Sequence, residues 1–101
     1  MKNDFLQFLG LIKKAGKLIE GYNKCEDAIK KDILHFIIIS NDCSENTKNK
    51  FINYCNKFNI NYIQRYSKEE LGNILGRKEI NILGVTDKNM SDKLLKIINK
   101  G

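Results

Sequence analysis

The spacing of apolar residues changes from stretch to stretch along this chain, and each spacing predicts an element. Phe5, Phe8, Leu9 and Ile12 stand at i, i+3, i+4 and i+7, which is one face of a helix over 4–15. Asn3 or Asp4 is placed to cap its start, and Gly16 suits a left-handed turn at its end. Lys17-Leu18-Ile19-Glu20 then reads as a short extended run, with Leu18-Ile19 as its strand. Gly21 turns the chain into a second helix over 23–31, with Asn23 as a candidate cap and Ala28 and Ile29 inward. Residues 33–40, ILHFIIIS, form a nearly continuous apolar, β-branched run, as expected of a central strand covered on both faces. The only histidine, His35, lies inside this run and is expected to be buried and structural.

A turn at 41–44 leads into a third helix, where Thr47, Phe51, Tyr54, Cys55 and Phe58 keep helical spacing. Asp42 with Glu45 has capping-box spacing, and Ser44 is the alternative cap. Lys48, Lys50 and Lys57 fall at other positions and read as a solvated face. Asn59-Ile60-Asn61 turns the chain into a strand over 62–65. Ser67 with Glu70 makes a second capping box, opening a helix with Leu71, Ile74 and Leu75 inside and Gly76 as its stop. The loop Arg77-Lys78-Glu79 leads into a strand over 80–86, in which Gly84 points to a close neighbour. Met90, Leu94, Ile97 and Ile98 give the last helix, 88–100, its inner face. Strands that alternate with helices predict an α/β fold: a three-layer α/β/α sandwich around a central, four-stranded, mostly parallel sheet.

At 101 residues, 42% of them hydrophobic, the chain suits one domain over 1–101 with a core of its own. The net charge of +6 fits a polyanionic partner. Abundant Asn, Ile and Lys also fit a genome rich in A and T, which raises lysine content without any selection for RNA. Three cysteines, at 25, 43 and 55, form no C-x-x-C pair and argue for a reducing compartment. Neither a signal-peptide pattern nor an apolar run near the roughly 20 residues of a membrane span is present. The expectation is a soluble, cytoplasmic protein with no membrane partner.

Catalytic chemistry has little to work with. A nucleophile beside a base, clustered carboxylates and metal-ligand spacing are all missing from the sequence pattern. G-x-x-x-x-G-K-[ST] and G-x-G-x-x-G are absent too, which removes the common nucleotide loops. The expectation is no catalytic residue, no metal, no cofactor and no small-molecule substrate.

What remains is a binding surface centred on GKLIEGYNKCEDAIKK, residues 16–31. A glycine turn into a helix presents free N–H groups and the positive end of a dipole, a surface that favours anions. Lys17 and the pair Lys30-Lys31 stand at the two ends of this stretch. Lys13, Lys14 and Lys17 are equally explained as cations at a helix C-terminus. Asn23, Lys24, Arg77 and Lys78 are expected to share one edge, if the loop before the last strand lies beside the second helix.

Four stretches carry a resemblance: LGLIKKAGKLIEG (9–21), IIISNDCSENTKNK (37–50), SKEELGNILGRKE (67–79) and GVTDKNMSDKLL (84–95). In this order the chain resembles the kink-turn-binding ribosomal protein family of L-seven-Ae and L-thirty-e type, and within it the bacterial YlxQ-type branch. The resemblance covers nearly the whole chain. It implies the sandwich fold and non-catalytic binding of structured RNA, a kink-turn or ribosomal RNA; nothing in the sequence suggests an obligate partner, and a monomer is expected. Contact is implied through the turn before the second helix, the start of that helix, and the loop before the last strand. The family's Gly-x-Asn-Glu-x-x-Lys stands here as Gly21-Tyr22-Asn23-Lys24-Cys25-Glu26-Asp27. Gly21 and Asn23 match, with Tyr22 between them. Lys24 replaces the glutamate, and Asp27 puts a carboxylate where the family has a phosphate-facing cation. A second class of function stays open beside RNA binding: an interaction module that kept the fold and lost RNA specificity.

Overall fold

The computed structural model describes residues 3–100, the side chain of Lys100 apart. Helix α1 (Asp4–Lys14), strand β1 (Leu18–Glu20), helix α2 (Tyr22–Lys30) and strand β2 (Phe36–Ile39) make the first half. Helix α3 (Glu45–Phe58), β3 (Asn61–Gln64), α4 (Lys68–Ile74), β4 (Ile82–Val85) and α5 (Lys88–Lys100) follow. The period-two alternation of β2 divides the core. Phe36 and Ile38 face one layer, with Leu9 and Ile12 of α1, Leu71 of α4 and Leu94 of α5. Ile37 and Ile39 face the other, with Cys25 and Ile29 of α2 and Phe51 and Cys55 of α3. All four β2 side chains are fully buried, which is why the run is apolar without a break. The result is the expected α/β/α sandwich.

The sheet itself corrects the expectation of a mostly parallel one. Its order is β1-β4-β2-β3, with β2 parallel to β3 and antiparallel to β4, and β4 antiparallel to β1. Only one neighbouring pair is parallel, because β4 enters from the opposite direction between two strands that share one. The cause lies in α4. It is one of the shorter helices at 7 residues, and the loop after it doubles back until the Ile80 N–H donates to the Lys68 carbonyl at 2.9 Å. The chain therefore re-enters the sheet at the edge it had just left. Buried Gly72 makes this return possible: a Cβ there would lie 2.7 Å from the Glu79 Cα.

Other local readings are refined. Gly16 takes φ +74 at the end of α1, and Asn3 caps that helix by accepting from the Leu6 N–H. Ser44 caps α3, while Asp42 accepts a hydrogen bond from the Lys68 N–H at 2.9 Å and ties the entry of α3 to that of α4. That contact holds the Asp42 carboxyl below its ordinary value. The Ser67–Glu70 capping box forms as expected. The apolar run of residues 33–40 supplies a shorter strand than expected. His35 is exposed just before it, and Leu34 instead fills the space beside Gly84, whose Cβ would meet Leu34 Cδ1 at 2.7 Å.

Gly72→Ala is expected to destabilise the protein by about 1–3 kcal/mol, since the contacted atoms belong to backbone that cannot move aside. Chemical denaturation of the two proteins checks this, and equal midpoints would refute the close-approach argument.

Candidate nucleic-acid interface

The C-terminal ends of β1, β2 and β3 and the N-terminal end of β4 share one edge of the sheet. Helices α2, α3 and α4 all begin there. Among them α2 starts differently. Gly21, at φ +104 and ψ 161, is its N-cap, and its N–H donates to the Ile82 carbonyl at 2.9 Å. That corrects the placing of Asn23 as a cap: it lies inside the first turn. No side chain caps α2 and no acidic residue occupies its first turn. The other described helices are capped by Asn3, Ser44, Ser67 and, at α5, Asp87, which accepts from the Met90 N–H. The positive end of α2 is thus left without an internal partner.

Asn23 and Lys24 project from this turn, exposed and without a hydrogen bond or ion pair among the described residues. Tyr22 turns inward. Its ring meets Phe51 edge-on at 5.1 Å, and the Lys50 Nζ sits 5.1 Å from its centroid. Below it Glu26 accepts from the Tyr54 hydroxyl at 2.6 Å and pairs with Lys50 at 2.7 Å. Hydrogen bonds from Lys50 and then Tyr54 hold the Glu26 carboxyl below its ordinary value, and those to Glu26 and Tyr22 push the Lys50 amine up. This network fixes α2 against α3. Reading Lys50 as part of a solvated face missed it. The available signal was the i, i+4 pair Lys50 and Tyr54 on one helix face, but its carboxylate partner lies on another helix.

The loop after α4 reaches the same edge. The Arg77 Nε donates to Glu20 Oε1 at 2.5 Å, next to Gly21, and Lys13 Nζ lies 3.3 Å from Glu20 Oε2. Lys13 also donates to the Leu75 carbonyl at 2.7 Å. Arg77, Gly21, Asn23 and Lys24 therefore belong to one edge, with Lys78 exposed in the same loop. Lys17, Lys30 and Lys31 do not. The Lys17 carbonyl accepts from the Thr86 N–H at the far end of β1. Lys30 and Lys31 close α2, about 13 Å along its axis from Gly21. Asp27 is exposed on α2, one turn beyond Lys24.

Burial, followed by the negative charge of Glu20, pushes the Cys25 thiol up to about 12, and burial pushes Cys55 up to about 12. No group of three or more His, Cys, Asp or Glu side chains among the described residues is placed to hold a metal ion. No helix of the described residues is long and apolar enough to cross a membrane.

Comparison with known proteins assigns the fold. The profile of the ribosomal protein L7Ae/L30e/S12e/Gadd45 family matches residues 4–95. The chain belongs to this family. Its relatives include the RNA-binding protein YlxQ of Bacillus subtilis, 27% identical over 95% of this chain and 96% of that protein. The RNA-binding protein YlxQ of Enterococcus faecium is 26% identical over 92% and 89%. A solved structure of a protein of unknown function from Bacillus halodurans superimposes with a TM-score of 0.90 at 27% identity, covering 97% of this chain and 99% of that one. In this chain the edge is set by backbone pairing of β1 with β4, so its shape does not rest on any one exposed side chain.

Gly21→Ala is expected to cost about 1–3 kcal/mol of stability, because its positive φ strains any residue with a Cβ. Thermal unfolding measures this. Because the folded state lowers the Glu26 pKa, its contribution is present above the ordinary carboxylate range and is lost as pH falls through the folded value. Glu26→Gln should therefore flatten the acid side of the stability–pH curve, and an unchanged curve would remove the network from the account.

Proposed function

We propose that this protein is a non-catalytic RNA-binding protein that grips structured RNA with the edge where α2 begins. The observation that carries the reading is the uncapped start of α2, flanked by unpaired Asn23 and Lys24 and, across the Glu20 contact, by Arg77. Free N–H groups and a helix dipole attract phosphate, while an exposed amide can read a base edge. As Asn23 does not cap the helix, its amide is free for that work. The names of the two YlxQ relatives support the same reading. A bent RNA element, a kink-turn or a comparable site in ribosomal RNA, is the proposed target, taken by a monomer in the cytoplasm. Lys17, Lys30 and Lys31 then act as remote cations that steer the approach.

The opposing feature is Asp27, whose exposed carboxylate stands one helical turn from Lys24 and weakens any phosphate contact there. It favours the second reading, an interaction module that has lost RNA specificity. The deciding experiment titrates the protein into a kink-turn RNA and into the same stem with its sheared G·A pairs replaced by Watson–Crick pairs, each at two salt concentrations. The RNA reading expects tighter binding to the kink-turn that persists at higher salt. Lys24→Glu should weaken binding about tenfold and lower the salt slope by about one. Equal, weak and salt-sensitive binding to both RNAs, with no effect of Lys24→Glu, would leave the interaction module as the better account.

A further inference from the structure

Of Lys24, Arg77 and Lys78, Arg77 alone has a carboxylate partner among the described residues, and the geometry of that pair is unusual in what it leaves free. Glu20 engages the Nε–H of the guanidinium through Oε1. Neither terminal Nη group donates a hydrogen bond among the described residues. An arginine carries five N–H donors in a planar fork, so four of them remain after this contact. Two of the four point from adjacent nitrogens in the geometry that matches a phosphate or carboxylate. The carboxylate is well placed to hold the fork still: its side chain is 11% exposed against 49% for Arg77, and Lys13 occupies its second oxygen at 3.3 Å.

The loop around Arg77 is itself immobilised. The Arg77 N–H donates to the Gly72 carbonyl at 2.9 Å, Ile80 bonds back to Lys68, and Lys68 pairs with Glu79 at 3.5 Å. Glu20 is therefore not needed to fold the loop. What it adds is the direction of one side chain. By period-two alternation Glu20 follows Leu18 onto the α1 and α4 side of β1, while the next residue, Gly21, opens α2. A guanidinium anchored there lies on the α1 and α4 face of the same sheet edge, its Glu20 partner one residue before the Gly21 turn.

We infer that Glu20 is a positioning residue: it holds Arg77 by Nε so that the free Nη pair presents a preorganised, bidentate donor to a backbone phosphate of the RNA. The inference rests on the RNA reading above and adds to it a negatively charged residue that promotes binding of a polyanion. The rotamer cost of ordering a long side chain is met before the RNA arrives. A lysine at the same place keeps the charge and loses the fork.

Simple electrostatics makes the opposite prediction, which makes the test sharp. Removing a carboxylate close to the binding edge should strengthen RNA binding if Glu20 only repels phosphate. If Glu20 positions Arg77, removal should weaken it. The probes are the kink-turn RNA and its Watson–Crick control, with wild type, Glu20→Gln, Glu20→Asp, Arg77→Lys and the double variant Glu20→Gln/Arg77→Lys. Glu20→Asp keeps the charge and shortens the reach, so repulsion predicts no change for it. Melting curves establish that each variant is folded. The expected result is about three- to tenfold weaker binding of the kink-turn for both Glu20 variants, and no further loss when Glu20→Gln is added to Arg77→Lys. Three results overturn the inference and leave the RNA reading standing: tighter binding by Glu20→Gln, unchanged binding by a folded Glu20→Asp, or an equal loss from Glu20→Gln in the wild-type and Arg77→Lys backgrounds. Wild type that fails to distinguish the two RNAs removes that reading, and the inference with it.

Discussion

The insertion of β4 between β1 and β2 is the constraint on which the arrangement depends. Four residues, Ile82–Val85, pair along both sides with Leu18–Glu20 and Phe36–Ile39. That double pairing joins the first twenty residues to the last quarter of the chain. It aligns the end of β1 with the start of β4, and so sets the Gly21 turn beside the loop that precedes β4. The Gly21 N–H completes the ladder by donating to Ile82. Without an intervening β4, Glu20 and Arg77, 57 residues apart in sequence, would have no reason to meet.

The two apolar layers act on this frame from opposite sides. On one, α1, α4 and α5 cover Phe36, Ile38, Leu83 and Val85. On the other, α2 and α3 cover Ile37, Ile39 and Ile82. The edge inherits a polar link from each side. Lys13, Glu20 and Arg77 tie α1, β1 and the α4–β4 loop together, while Glu26, Lys50 and Tyr54 tie α2 to α3. Both links are partly exposed, so their value lies more in orientation than in stability. Between them stands the one described helix start without a side-chain cap. A surface of this kind holds its donors in place and leaves them unsatisfied, which suits a partner that brings its own acceptors.

This arrangement explains how a chain with a modest charge excess can have a directed one. Some of its cations are engaged internally: Lys13 and Arg77 with Glu20, Lys50 with Glu26, Lys68 with Glu79 and Lys88 with Asp92. Lys24 is not, and it lies at the helix start. In the L7Ae-type frame the departures at Lys24 and Asp27 fall on exposed faces of α2, whereas the residues that build the frame are buried. Changes at these exposed positions therefore leave the buried frame untouched.

Local physics made most of the elements legible. Helical spacing placed α1, α3 and α5, Ser67 with Glu70 announced the start of α4, and the unbroken apolar run marked β2 as central. Gly16 and Gly84 were readable because positive φ and close approach leave few alternatives to glycine. Ile74, expected inside α4, is exposed, and four other features were misjudged where a decision depended on distant parts of the chain. Strand direction was one, since alternation of helices and strands carries no record of a loop that doubles back. The cap of α2 was another: Asn23 has the right chemistry, but the ladder bond from Gly21 to Ile82 decides where the helix begins. His35 lay just before the strand: its N–H still donates to the Val85 carbonyl at 2.8 Å, but the paired register of β2 with β4 begins at Phe36 and leaves the imidazole exposed. Lys50 looked solvated until Glu26 arrived from another helix. Apolar positions, glycine turns and the family resemblance could be read from the residues alone, because each depends on neighbours within a few positions. Which charges meet and which helix start stays open became visible in the folded chain, because both depend on the order of strands in the sheet.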